Sequence, residues 1–230
     1  MTTIPGNLQH VRARIATACQ RAGRGVEEVT LLAVSKTFGA DAVRAAAAAG
    51  QRAFGENYIQ EGVEKIAALR DLGLMGHCIG TIQSNKTRLV AEHFDWVHTV
   101  DRLKIAERLS AQRPADLPPL NVCIQVNIDG GANKSGVAPG EALALARAVA
   151  ALPQLKLRGL MSIPEIAPDF EAARAVHAGA RALFDQLNAD GLGLDTLSMG
   201  MSDDLEAAIA AGSTMVRIGT AIFGSRASKP

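Results

Sequence analysis

Eight times along this 230-residue chain a short apolar run gives way, through a glycine or a polar turn, to a segment of helical period. The runs fall at residues 31–37, 52–55, 76–80, 96–100, 121–128, 157–162, 196–199 and 214–217. Each reads as a strand buried on both faces, the mark of parallel strands covered by crossover helices. The segments between them place apolar residues three and four apart, as in Ile59, Val63, Ile66 and Leu69, and the one over residues 41–49 closes on Gly50. One extra helix, over residues 7–21 with Leu8, Val11, Ile15 and Ala18 on one side, precedes the first run. The alternation predicts an α/β protein: a single (β/α)8 TIM barrel with an additional N-terminal helix, one domain over residues 1–230. An open doubly wound sheet is the competing fold. It usually shows G-x-G-x-x-G after its first strand, and Ser35-Lys36-Thr37-Phe38-Gly39 is not that pattern. Pro114, Pro118 and Pro119 mark a connection and not a domain linker, because strands and helices resume directly beyond them.

Charge and cysteine content narrow the partners. With 24 basic and 23 acidic residues the formal charge is +1, which gives no pull toward nucleic acid or an anionic membrane. Residues 1–6 lack the basic and apolar regions of a secretion leader and no window reaches membrane-spanning length, so a cytoplasmic protein is expected. Cys19, Cys78 and Cys123 are odd in number and far apart, which indicates neither a disulfide framework nor a zinc cluster. The five histidines, His10, His77, His93, His98 and His177, show no metal-ligand spacing, and no metal is expected.

The chemistry points to the barrel mouth. Alternation puts Leu32, Val34 and Lys36 on one face of the first strand, with Lys36 at its carboxyl end. An amine there either reaches water or, once desolvated, attacks a carbonyl to give a Schiff base. The loops after strands seven and eight are the usual phosphate site of such barrels. Here they carry Gly200-Met201-Ser202-Asp203 and Arg217-Ile218-Gly219-Thr220, with backbone N–H groups and hydroxyls at helix starts. Alone, a Gly-Ser turn is an ordinary turn and Arg217 could sit in a rim ion pair. Barrel closure makes strands one, seven and eight neighbours, and a lysine beside a phosphate cup suits a phosphorylated aldehyde. Asp203 and Asp204 read as an acidic helix start and not a metal pair. His98, at the end of strand four, reads as a mouth residue or a structural histidine.

These residues resemble those of a known family. Ala33-Val34-Ser35-Lys36-Thr37, Phe54-Gly55-Glu56-Asn57-Tyr58, Ile79-Gly80 with Gln83-Ser84-Asn85-Lys86, Lys134-Ser135-Gly136, Gly159-Leu160-Met161 and Ser198 through Gly224 stand in the order seen in the pyridoxal phosphate homeostasis proteins. That family resembles the N-terminal barrel of alanine racemase and other fold-type III pyridoxal phosphate enzymes. The resemblance implies that Lys36 holds pyridoxal 5'-phosphate as an internal aldimine. It implies that Ser202, Gly219 and Thr220 bind the phosphate, that Arg217 partners the pyridine nitrogen, and that Asn57 lies near the ring. Thr81 and Ile82 stand where the family would have Pro-Leu. An arginine at the pyridine nitrogen disfavours its protonation and so handicaps carbanion chemistry. Racemases offset this with a tyrosine from a further C-terminal domain, and here only six residues follow Gly224, while the sole tyrosine, Tyr58, reads as a packing or rim residue.

The expected function is therefore cofactor holding: pyridoxal phosphate homeostasis or delivery to apoenzymes as transient recipients, with no catalytic residues and no turnover, by a monomer. A low-activity amino-acid racemase is the alternative. A class I aldolase would place acids near its lysine, and Val34-Ser35-Lys36-Thr37 supplies none.

Overall fold

In the computed structural model, which describes residues 3–131 and 134–224, each strand pairs in parallel with the next and the last pairs with the first. The strands of this closed barrel are β1 (Thr30–Val34), β2 (Ala53–Glu56), β3 (Met75–Cys78), β4 (Trp96–Val100), β5 (Leu120–Gln125), β6 (Leu155–Met161), β7 (Thr196–Ser198) and β8 (Met215–Ile218). The α-helices are α1 (Ile4–Arg21), α2 (Ala40–Ala48), α3 (Ile59–Ala68), α4 (Thr87–His93), α5 (Leu103–Gln112), α6 (Ala142–Ala150), α7 (Phe170–Ala189), α8 (Leu205–Ala210) and α9 (Thr220–Phe223). The eightfold alternation thus folds as the expected (β/α)8 barrel with an N-terminal helix.

Strand parity separates two cores. Leu32, Val34 and Met215 meet Ile79 inside the barrel, whereas Ala33, Val216 and Ile218, one step out of phase, pack under the helices. The helix α1 covers the outside of the β8–β1 seam with Leu8, Val11, Ile15 and Ala18. Thr3 caps it, its hydroxyl accepting from the Gly6 N–H. Leu8 and Val11 are fully buried, and each contributes about 2 kcal/mol through removal of its surface from water.

Element bounds shift where side chains take over backbone partners. The first strand stops at Val34 and not at residue 37, because the Ser35 carbonyl accepts from the Phe38 N–H and the Lys65 ammonium. Lys36 consequently lies in a turn beyond the strand. The fifth strand ends at Gln125 and not at residue 128: Val126 still donates to Met161, but Asn127 donates to Val137 instead of continuing the ladder. Asp101, a good helix cap by sequence, does not cap α5. Its carboxylate accepts from the Gly136 N–H, and Arg102 occupies the cap position.

Candidate functional site

The carboxyl end of the barrel is built around Arg217. Leu32 pairs with Arg217 and Ala33 with Ile218, so the Lys36 turn rises beside the loop that carries Gly219 and Thr220. Parallel neighbours lie about 5 Å apart, which places both within reach of one small ligand. Arg217 points inward and is 5% exposed. Its Nη1 donates to Ser198 Oγ at 2.8 Å and its Nη2 to the Ser162 carbonyl at 2.9 Å. Burial pushes its pKa down to about 10, opposed by the Asp204 charge, so the guanidinium stays protonated at neutral pH.

Ser198 continues inward. Its hydroxyl lies 2.9 Å from His98 Nδ1, and His98 Nε2 lies 2.9 Å from His77 Nδ1. Arg217 donates to the Ser198 hydroxyl, and the hydroxyl and the two rings form one continuous hydrogen-bonded chain in which each imidazole offers one N–H and one bare nitrogen. Burial lowers His77 to about 3, and burial together with the His77 and Arg217 charges lowers His98 well below the ordinary histidine value. Both rings are therefore neutral, and His77 stacks on Trp96 with ring centroids 5.1 Å apart. His98 is thus a buried member of this chain and not a residue open at the mouth.

The other expected residues ring the same end. Asn57 follows β2, and its Oδ1 is buried without a protein partner, as is Ser162 Oγ beside Arg217. Ser202 sits in the turn before α8, its carbonyl accepting from Arg14 Nη2 at 3.0 Å. Gly200 opens that turn at φ +98, which favours glycine, and a side chain would collide with Ala208. Thr220 begins α9 and Gly219 caps it; among the described residues their backbone N–H groups have no protein acceptor. The helices α8 and α9 have only six and four residues. Helix dipoles this short add little, so an anion at these turns would meet individual N–H and O–H donors more than the helix starts the sequence suggested. Asp204 closes the Met201–Asp204 turn and pairs with His177 Nε2 at 2.8 Å. Among the described residues no group of three or more His, Cys, Asp or Glu side chains could hold a metal ion. Tyr58, 52% exposed, precedes α3 at the rim.

The donor set fits a phosphorylated aldehyde. The turn after β1 carries a lysine, the turns after β7 and β8 carry the Ser202 and Thr220 hydroxyls and two N–H groups without protein acceptors, and buried Asn57 Oδ1 and Ser162 Oγ lack protein partners, the latter on the residue whose carbonyl accepts from Arg217. Arg217 spends two of its five N–H donors on Ser198 and Ser162. The residues that sequence reasoning did not single out are Ser162, Ser198 and His77, together with Glu56 and Lys65 behind the Lys36 turn. Parity offered one signal: Glu56 shares the helix-covered face of β2 with Phe54, and a carboxylate there requires a cation.

This barrel, with a mouth lysine and an inward arginine, is of the alanine racemase N-terminal domain type, and that family's profile matches residues 6–227. A pyridoxal phosphate homeostasis protein of Pseudomonas aeruginosa is 63% identical over 226 residues, covering 98% of this chain and 97% of its own. PipY of Synechococcus elongatus, solved without PLP, superposes with TM-score 0.84 at 38% identity, covering 96% of this chain and 100% of PipY. PipY solved with PLP bound gives TM-score 0.80 at 39% identity, covering 91% of this chain and 100% of PipY. The chain belongs to the family of pyridoxal phosphate homeostasis proteins. The Pseudomonas aeruginosa relative and one from Escherichia coli, 58% identical over 236 residues, are both named as pyridoxal phosphate homeostasis proteins. Among the described residues no helix is long and apolar enough to cross a membrane.

Proposed function

We propose that this protein holds pyridoxal 5'-phosphate at the barrel mouth as an internal aldimine of Lys36 and serves intracellular homeostasis or delivery of that cofactor, without turnover of its own. Ser202, Gly219 and Thr220 hold the phosphate, Arg217 faces the pyridine nitrogen, and Asn57 contacts the ring. The observation that carries the reading is the inward, hydrogen-bonded Arg217 on the strand adjoining the Lys36 turn. The solved PipY complex supports it from a relative. The bound cofactor supplies an electrophilic aldehyde and an aromatic ring. A permanently charged guanidinium beside that ring opposes protonation of its nitrogen and so weakens it as an electron sink, which suits storage better than carbanion chemistry. All six of these residues come from one chain, which supports a monomer as the working unit, one that meets apoenzymes transiently.

Titration of the protein with pyridoxal phosphate tests this: a visible Schiff-base band should saturate at one equivalent and discharge in alkali. A protein that stays colourless overturns the reading. Incubation with single L-amino acids in deuterated water separates it from a racemase, since sustained Cα exchange with inversion would establish turnover.

A further inference from the structure

Behind β2, on the side turned away from the barrel interior, lies a buried charge cluster. Glu56 is 5% exposed and Lys65 is 9% exposed. The Lys65 Nζ donates to Glu56 Oε1 at 2.8 Å and to the Ser35 carbonyl at 2.7 Å, and forms an ion pair with Glu61 Oε1 at 2.7 Å. Ser35 Oγ donates to Glu56 Oε1 at 2.5 Å, and the Thr37 N–H donates to Glu61 Oε1 at 2.6 Å. Every branch of the cluster therefore ends on residue 35 or residue 37. Lys36 is the residue between them.

We propose that Glu56, Lys65 and Glu61 are positioning residues, a clamp that fixes the backbone on both sides of Lys36 and so sets how tightly Lys36 holds an aldehyde. The inference rests on the reading that Lys36 forms the Schiff base.

Stability alone does not account for the cluster. Two charges taken out of water are repaid only by excellent pairing, and apolar residues of like volume would fill the site at least as well. The pairing here is incomplete: Glu56 Oε2 is buried with no partner, and burial raises the Glu56 carboxyl against the pull of Lys65 and Ser35. What the charges do supply is three directed hydrogen bonds to the turn, which apolar packing cannot give. The turn also needs holding. Thr37 has φ +69, a left-handed conformation that a β-branched residue rarely adopts, and its N–H is the one taken by Glu61. Strain at a residue next to the reacting lysine persists only where the surroundings over-determine it. The clamp also joins α3 to the mouth, because Glu61 and Lys65 lie one helical turn apart on α3 while Glu56 ends β2.

The test uses the full chain and four variants: Lys65→Met, Glu61→Ala, Glu61→Gln, and Arg44→Ala as a control. The last breaks the Arg44–Asp71 pair, an ion pair that also ties α2 to the chain beyond α3 without touching the turn. Affinity for pyridoxal phosphate is read from the Schiff-base band, and folding from circular dichroism. Lys65→Met and Glu61→Ala should weaken affinity about tenfold or more, since small misplacements of a reacting group are costly. Glu61→Gln keeps an acceptor for Thr37 and should recover most of the loss, and Arg44→Ala should bind as wild type. Folded Lys65→Met and Glu61→Ala proteins that bind within about twofold of wild type overturn the clamp. If Lys65→Met does not fold, the Glu61 pair decides the matter. A wild-type protein that gains no borohydride-stable mass at Lys36 removes the preceding reading instead. The clamp's hold on the backbone is then judged on ligand-free protein by exchange of the Thr37 amide: slow exchange that speeds up in Glu61→Ala upholds the fixing of the turn, and exchange at the rate of an open loop overturns it.

Discussion

Arg217 occupies a place inside the barrel where an arginine has to be satisfied or it destabilises the fold. It is satisfied by Ser198 and Ser162, and Ser198 in turn links it to His98 and His77. Removing the shared hydroxyl leaves a buried guanidinium N–H and a histidine nitrogen unpaired at once. Ser198→Ala should therefore cost about 1–3 kcal/mol in urea unfolding, more than a lost surface hydroxyl would. It should also weaken pyridoxal phosphate binding by freeing the arginine. Strand order alone made it legible that Lys36 and Arg217 belong to neighbouring segments at the carboxyl end of the barrel, whereas parity did not carry over to Lys36, which lies in a turn beyond β1. The partners of Arg217 were not legible, since Ser162 and Ser198 come from β6 to β7 and their inward aim depends on register that no single strand records.

At the scale of elements, the barrel closes through strand contacts that tolerate no side chain at certain points. Gly159 in β6 abuts the Thr196 carbonyl of β7, and a methyl group there would collide with that backbone. Gly159→Ala should destabilise the protein by about 3 kcal/mol or more, measured as a lowered urea midpoint, because neither strand can move without disturbing the ladder. Eight strands and their helices were readable from apolar runs and helical period. Their ends were not: β1 stops when Lys65, from α3, takes the Ser35 carbonyl, a contact between segments thirty residues apart. Glu56 and Lys65 are only nine residues apart, but their pairing joins the end of β2 to α3 and depends on how that helix packs. Only the odd placement of Glu56 on a covered face and of Lys65 among the buried residues of α3 hinted at it.

At the scale of the whole molecule, the neutral pair His77 and His98 makes stability depend on pH. Their folded values lie below the ordinary value near 6.5, so the unfolded chain binds more protons once pH falls below that value. Stability is then fully present above about pH 6.5 and is lost progressively as pH falls toward the folded value of His77, about 3. Unfolding free energy should drop by about 2 kcal/mol for each histidine between about pH 7 and about pH 5. A drop half as large would show that one ring is already charged in the folded barrel, and a flat profile that both are. Lys36, in the turn that follows β1 beside the strand carrying Arg217, is the residue on which the cofactor reading turns, and the direct measurement is made there. Incubation with pyridoxal phosphate, reduction with borohydride and peptide mass mapping should find one phosphopyridoxyl group, on Lys36, absent from Lys36→Met. Label on other lysines with Lys36 unmodified, or no stable label at all, would contradict the assignment of this barrel mouth as a cofactor site.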